Sequence, residues 1–246
     1  MNFSGVNNQT IIGKIARLPL QLIPLKTILP ILQGKLKGKR WIVGSSQHGC
    51  WLGSYEYTKQ LLFEQHLEKG SIVFDIGAHT GFYTLLAAVL VGNTGKVIAF
   101  EPFPRNLSYL KQHLQLNKIE NVTVIDAAVA DRRSEAFFDY TDSSFTGHLA
   151  KTGKIKVQTV VLDQLFAEGK IPLPTHLKID VEGGEMSVFE GARTILTQAH
   201  PTIFLATHGQ DIHKQCCEFL SSLGYSLQPI DDNTLECSNE IIAEFC

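Results

Sequence analysis

The feature that most constrains this chain is a short apolar run that ends on an acidic residue and opens into a glycine turn. Ser71–Ile76 reads SIVFDI, and Asp75–Gly81 reads DIGAHTG. A nearly continuous apolar run of this length marks a strand buried on both faces. The Leu- and Ala-rich stretch Phe82–Val91 that follows reads as a helix. The alternation then repeats: strand Lys96–Phe100, helix Pro104–Leu116 with Leu107, Leu110 and Leu114 on one face, strand Asn121–Ile125. Further on come strand Thr175–Ile179, one helix over about Glu185–Gln198, and strand Thr202–Ala206. Such alternation specifies an α/β fold, a mostly parallel, doubly wound sheet with helices on both faces. Ala136–Tyr140 and Ile155–Val160 read as two extra strands that bracket the polar stretch Thr141–Lys154. Tyr225–Ile230 and Glu240–Phe245, joined through Asp231–Asn233, read as an antiparallel hairpin closing the sheet.

Composition narrows the class. The 246 residues suit one large domain with a short appendage, divided here into an extension over 1–60 and a main domain over 61–246. A net charge of −2 disfavours a nucleic-acid partner, and 44% hydrophobic residues exclude a disordered chain. Five cysteines, two of them adjacent at 216 and 217 and none in a C-x-x-C, argue for a reducing, cytoplasmic setting. The apolar stretch Ile11–Leu32 is interrupted by Pro19, Pro24 and Pro30, so it cannot form a transmembrane span. Lys35, Lys37, Lys39 and Arg40 follow it. Two readings compete: a segment lying on an anionic membrane, or a largely helical cover for the main core, the substrate or a second copy of the chain. The prolines favour the cover.

The glycine turn carries the first functional signal. Gly77 and Gly81 let a ligand approach backbone where a strand feeds a helix. Glu101, at the end of the second strand, stands where a carboxylate can accept from both hydroxyls of a ribose. A dinucleotide site would need a glycine where His79 stands, and Asp75 would repel a pyrophosphate. Asp75 suits an ammonium instead, which selects S-adenosylmethionine; the competing reading makes it a helix cap. After the third strand, Asp126 can accept from an adenine amine and the small Ala127 and Ala128 leave room for the ring. An exposed loop aspartate would look the same.

Together these stretches resemble the FkbM-type S-adenosylmethionine-dependent methyltransferases: VFDIGAHTGFYT at 73–84, AFEPFPRN at 99–106, NVTVIDAAVAD at 121–131, LDQL at 162–165 and KIDVEGGEMSVFEGA at 178–192. The resemblance implies a Rossmann-like, seven-stranded sheet with an antiparallel last strand. His79 replaces a usual Asn, and Ala206–Thr207–His208 replaces a usual Glu-x-His. On this reading Asp75, Gly77, Ala78, His79, Gly81, Glu101, Asp126 and Ala127 hold the cofactor, and Tyr55 and Glu56 close over it. The tyrosine could equally be a packing residue.

Methyl transfer to a hydroxyl needs a base or a metal ion. Asp180 ends the strand expected beside the first, and Glu182 and Glu185 follow, so the three could hold Mg²⁺. Glu185 also falls in a first helical turn, where a carboxylate meets the positive dipole end. His208, after the fifth strand, is the best candidate base. The expected activity is O-methylation of a small hydroxylated molecule, a sugar or secondary metabolite, with Asp180, Glu182 and His208 catalytic. A nicotinamide-dependent oxidoreductase and a cofactor-binding module without chemistry are the rivals.

Overall fold

A computed structural model describes residues 20, 22–140, 147–150, 152–153, 155–231 and 233–245. The chain opens with a small hairpin, β1 (Ile28–Pro30) and β2 (Arg40–Ile42), then α1 (His48–Leu52) and α2 (Tyr57–His66). The main alternation is β3 (Ile72–Ile76), α3 (Phe82–Val91), β4 (Lys96–Phe100), α4 (Pro104–Leu116) and β5 (Val122–Ile125). A second, four-stranded sheet uses β6 (Ala128–Val129), β7 (Glu135–Tyr140), β8 (Gly147–Ala150) and β9 (Ile155–Val160). The chain returns through α5 (Leu162–Ala167), β10 (His176–Ile179), α6 (Glu185–Glu190), α7 (Arg193–Ala199), β11 (Thr202–Ala206) and α8 (Gln210–Ser222). It closes with β12 (Tyr225–Pro229) and β13 (Glu240–Phe245).

The main sheet has seven strands in the order β12-β13-β11-β10-β3-β4-β5, and only β13 runs against the rest. This is the doubly wound topology read from the alternation. The winding reverses between β3 and β10, and the crevice outside their carboxyl ends is where such sheets bind ligands. Strand side chains alternate between two cores. Phe74, Ile76, Leu177 and Ile179 face α5 to α8, whereas Val73, Val97 and Phe204 face α2, α3 and the hairpin. Parallel register sets Lys178 opposite both Asp75 and Phe204, so a lysine and an aspartate meet on the second face.

Two expectations are corrected. The helix expected over 185–198 is two helices, because Gly191 lies against the Ala130 carbonyl where a Cβ would collide with it. Asp163 then accepts from Thr194 N at 2.7 Å and Ile195 N at 3.0 Å, satisfying donors that open α7. The extension is not simply helical either: positive φ at Gly34 (77°) and Gly38 (86°) turns 28–42 into a hairpin. That hairpin is tied into the main core. Trp41 is fully buried and stacks on His113 of α4, with ring centroids 3.7 Å apart. His113 Nε2 accepts from Ile42 N at 3.1 Å, and its Nδ1 donates to Thr80 O at 2.8 Å. Burial pushes this imidazole down to about 4, so it is neutral, as both contacts require. The polar stretch at 141–154 lies largely outside the described residues.

Candidate active site at the switch point

A cavity of about 410 Å³ opens at the carboxyl ends of β3 and β10. Its floor is the glycine turn. Gly77 has φ +78°, and a Cβ there would strike the Asp180 carbonyl, so only glycine lets the two strand ends come this close. Gly77 N and Ala78 N both donate to Phe100 O, at 3.1 and 3.0 Å. His79 takes φ +53°, a left-handed conformation in which Asn and His are among the better-tolerated non-glycine residues. Its backbone N donates to Glu101 Oε2 at 2.7 Å, and Phe103 N donates to Oε1 at 2.9 Å. Each oxygen of this buried carboxylate thus spends one lone pair on backbone and keeps another. Burial pushes the Glu101 acid up to about 7, against the two backbone donors.

The opposite wall is built on Lys178. Its Nζ donates to Gly77 O at 3.0 Å and lies 3.3 Å from Asp75 Oδ1 and 3.6 Å from Asp180 Oδ2. Burial alone would lower the ammonium, but Asp75 and Asp180 outweigh it and raise it. Asp180 moves the other way: burial opposes its charge, yet Lys178, Lys59 and His208 hold its acid below the usual range. Thr84 donates to Asp75 Oδ2 at 2.5 Å, which occupies the other side of that carboxylate.

The third group forms at the rim. His208 Nε2 lies 3.4 Å from Glu182 and 3.7 Å from Asp180, and its Nδ1 donates to Glu185 Oε1 at 2.7 Å. Glu185 is fully buried, and the same oxygen accepts from Gly183 N at 3.1 Å. The hydrogen bond to Glu185, with the charges of Glu182 and Asp180, raises the imidazole above its ordinary value. Ligand-type atoms of Asp180, Glu182 and His208 converge within 4.8 Å.

A model of the FkbM methyltransferase domain matches residues 75–227, well over half of the chain. The chain belongs to the FkbM methyltransferase domain family. Among curated proteins, this FkbM domain is 25% identical over 154 residues to the hexuronic acid methyltransferase AglP of Haloferax volcanii, covering 62% of each chain. It is 27% identical over 117 residues to protein-L-isoaspartate O-methyltransferase 1 of Arabidopsis thaliana, covering 46% of this chain and 49% of that protein. The chain therefore spans about half to three-fifths of these relatives. Among solved structures, the FkbM methyltransferase from Methylobacillus flagellatus KT superposes with a TM-score of 0.54 at 14% identity, over 81% of this chain and 56% of that one. A putative rRNA-methylase from Clostridium thermocellum gives 0.51 at 14%, over 78% and 96%. These two likenesses concern the fold.

Of the residues singled out in the FkbM sequence, Tyr55, Gly77, Ala78, His79, Glu101, Ala127, Asp180 and Glu182 line one cavity. Others fall elsewhere, for identifiable reasons. Asp75 lies behind the lining, held by Lys178 and Thr84, and does not face the cavity where an ammonium contact was expected. Gly81 serves helix packing: its backbone lies against Leu110 of α4. Asp126 is exposed and outside the lining, and Glu56 is turned to Lys59 at 3.1 Å. Glu185 is not part of the converging group, because its Oε1 faces Nδ1 on the far side of His208. His208 stands behind Asp180 and Glu182 at the rim, outside the lining itself. Sequence reasoning missed Lys178 and Phe138, both in the lining. The lysine left a trace, being the one charged residue inside the run HLKI.

Proposed function

We propose that this protein is an S-adenosylmethionine-dependent O-methyltransferase that acts on a hydroxyl of a small molecule, most simply a sugar or sugar acid, in the cytoplasm. The observation that carries the reading is Glu101, a cavity carboxylate fixed by two backbone donors and keeping a lone pair on each oxygen for a ribose. The cavity fits an adenosyl group in other respects. Ala127, Ala128, Val129 and Phe138 offer small and apolar surface for a flat ring. Among the described residues the sole Lys or Arg in the lining is Lys178, and its charge is engaged by Asp75 and Asp180, leaving no free cation for a pyrophosphate.

When bound, S-adenosylmethionine supplies a sulfonium methyl group, which an acceptor oxygen takes as the C–S bond returns its electron pair to sulfur. The chain's own tasks are to align the acceptor and remove its proton. Asp180, kept ionised by Lys178, orients the hydroxyl by accepting its hydrogen bond. From Asp180 that proton passes to His208 Nε2, 3.7 Å away, because Glu185 fixes Nδ1 as the already protonated nitrogen and supports the resulting imidazolium. Glu182 adds a second negative group beside that charge. Asp180 already has Lys178 as its counter-charge, so this reading requires no Mg²⁺. The acceptor class follows the hexuronic acid methyltransferase relative. Glu101→Ala should weaken S-adenosylmethionine binding, measured by calorimetry, by about 1.5–3 kcal/mol per lost charged hydrogen bond. Unchanged binding would remove the ribose assignment and the reading with it.

A further inference from the structure

Charge is divided very unevenly along this chain. Seven Lys or Arg and no Asp or Glu precede Glu56, against 15 Lys or Arg and 24 Asp or Glu from there on. Five of the seven cations fall between Lys26 and Arg40, in and around the β1–β2 hairpin. Lys26, Lys35, Lys37 and Arg40 are exposed, Lys39 is half-buried, and none takes part in an ion pair among the described residues.

The same segment holds the most exposed large apolar side chains described. Leu22 is 83% and Leu25 76% exposed, with Ile28 at 47% and Leu32 at 44%. They are presented by a fixed scaffold. Ile31, Leu36, Trp41 and Val43 are buried, and backbone bonds Lys26 N to Val43 O (2.9 Å), Ile31 N to Lys39 O (2.7 Å) and Leu32 N to Trp51 O (3.0 Å) hold the segment down. The register puts Leu29 and Trp41 on one hairpin face, toward the core, and Ile28 and Arg40 on the other. The hairpin therefore does cover the core, yet Leu22 and Leu25 just before it, and Ile28, Leu32, Lys35, Lys37 and Arg40 within it, stay exposed.

We propose that this segment is a docking surface for an anionic lipid bilayer. Prolines deny it the long interfacial helix, but a rigid hairpin can present the same two chemistries: apolar side chains that enter the acyl boundary and lysines that meet headgroup charge. A polyanion such as RNA would compensate the cations and leave the leucines wet. A second copy meeting the same face would set like charges against each other. A bilayer satisfies both sets at once. No described helix is long and apolar enough to cross a membrane, so the described residues would meet the bilayer at its surface. Beyond Ile42 the chain runs directly into Ser46, Gln47 and Cys50 of the cavity wall, so docking brings that wall to the lipid surface. This inference is independent of the reaction proposed above.

The test is co-sedimentation of the full chain with vesicles of phosphatidylcholine alone and of phosphatidylcholine with a quarter phosphatidylglycerol. Binding should appear only with the anionic vesicles and fall as salt is raised. At about fivefold per lysine, Lys35→Gln, Lys37→Gln and Lys39→Gln combined should weaken it roughly 100-fold. Leu22→Ser with Leu25→Ser should weaken it about tenfold, with the thermal midpoint checked to show that both variants remain folded. Three results would overturn the proposal: no preference for the anionic vesicles, leucine variants that bind as the parent does, or tighter capture by a single-stranded oligonucleotide than by vesicles.

Discussion

Replacing Lys178 by methionine is the sharpest probe of how the site is held. The side chain is 4% exposed, and the substitution keeps its length while removing the charge that Asp75 and Asp180 face at 3.3 and 3.6 Å. The hydrogen bond to Gly77 O goes as well. Removing one member of a buried ion pair costs about 3–5 kcal/mol, here because Asp75, 1% exposed, is left buried without its counter-charge. Against a domain stability of about 5–15 kcal/mol that is a large share. Urea unfolding followed by the fluorescence of the buried Trp41 and Trp51 measures it. The pH dependence supplies the diagnostic sign. In the parent, Asp180 has a depressed folded value, so its contribution is present above the unfolded value of ~3.9 and is lost as pH falls. Without Lys178 the buried carboxylates have raised folded values, the folded state binds the extra protons, and stability grows as pH falls from about 6 toward 4. The deficit should therefore shrink in acid. Asp75→Asn in the Lys178→Met background should restore part of it, because one uncompensated charge is gone; a double-mutant cycle gives the coupling. A loss below about 1 kcal/mol, far under the cost of breaking a buried pair, or a deficit that stays constant with pH, would refute the reasoning.

Two further outcomes follow from the same geometry. Glu185→Gln turns the hydrogen bond that most raises His208 from a charged into a neutral one, so the acid limb of the kcat pH profile should move to lower pH and kcat above it should fall as the base weakens; a limb that stays in place would separate His208 from the proton step. Gly191→Ala drives a Cβ into the Ala130 carbonyl between α6 and α7 and should cost about 1–3 kcal/mol by thermal or urea unfolding; a neutral result would mean that the helix break has slack.

The alternation of apolar runs with helical stretches was enough to specify the fold, because a strand buried on both faces and a helix with one apolar stripe each carry their own periodicity. The closing hairpin was legible for the same reason. The single helix expected over 185–198 was not divided correctly, since the break depends on how closely Gly191 meets Ala130, a contact 61 positions away in the chain. Local pattern also picked out Gly77, Ala78, His79 and Glu101, which line the cavity, because a turn between a strand and a helix is a local object. It did not show that Asp75, Asp126 and Glu185 stand outside the cavity lining, because no spacing encodes the direction of a side chain.

The sequence by itself determined the strand order's raw material and which carboxylates end which strands. Only the tertiary structure decided what those carboxylates face. Register brought Lys178 opposite Asp75, and the return of the chain to β11 put His208 between Glu185 and the Asp180–Glu182 pair. The physical reason is range: periodicity and turn chemistry act over a few residues, whereas the electrostatics of a buried site are set by groups that only folding makes neighbours.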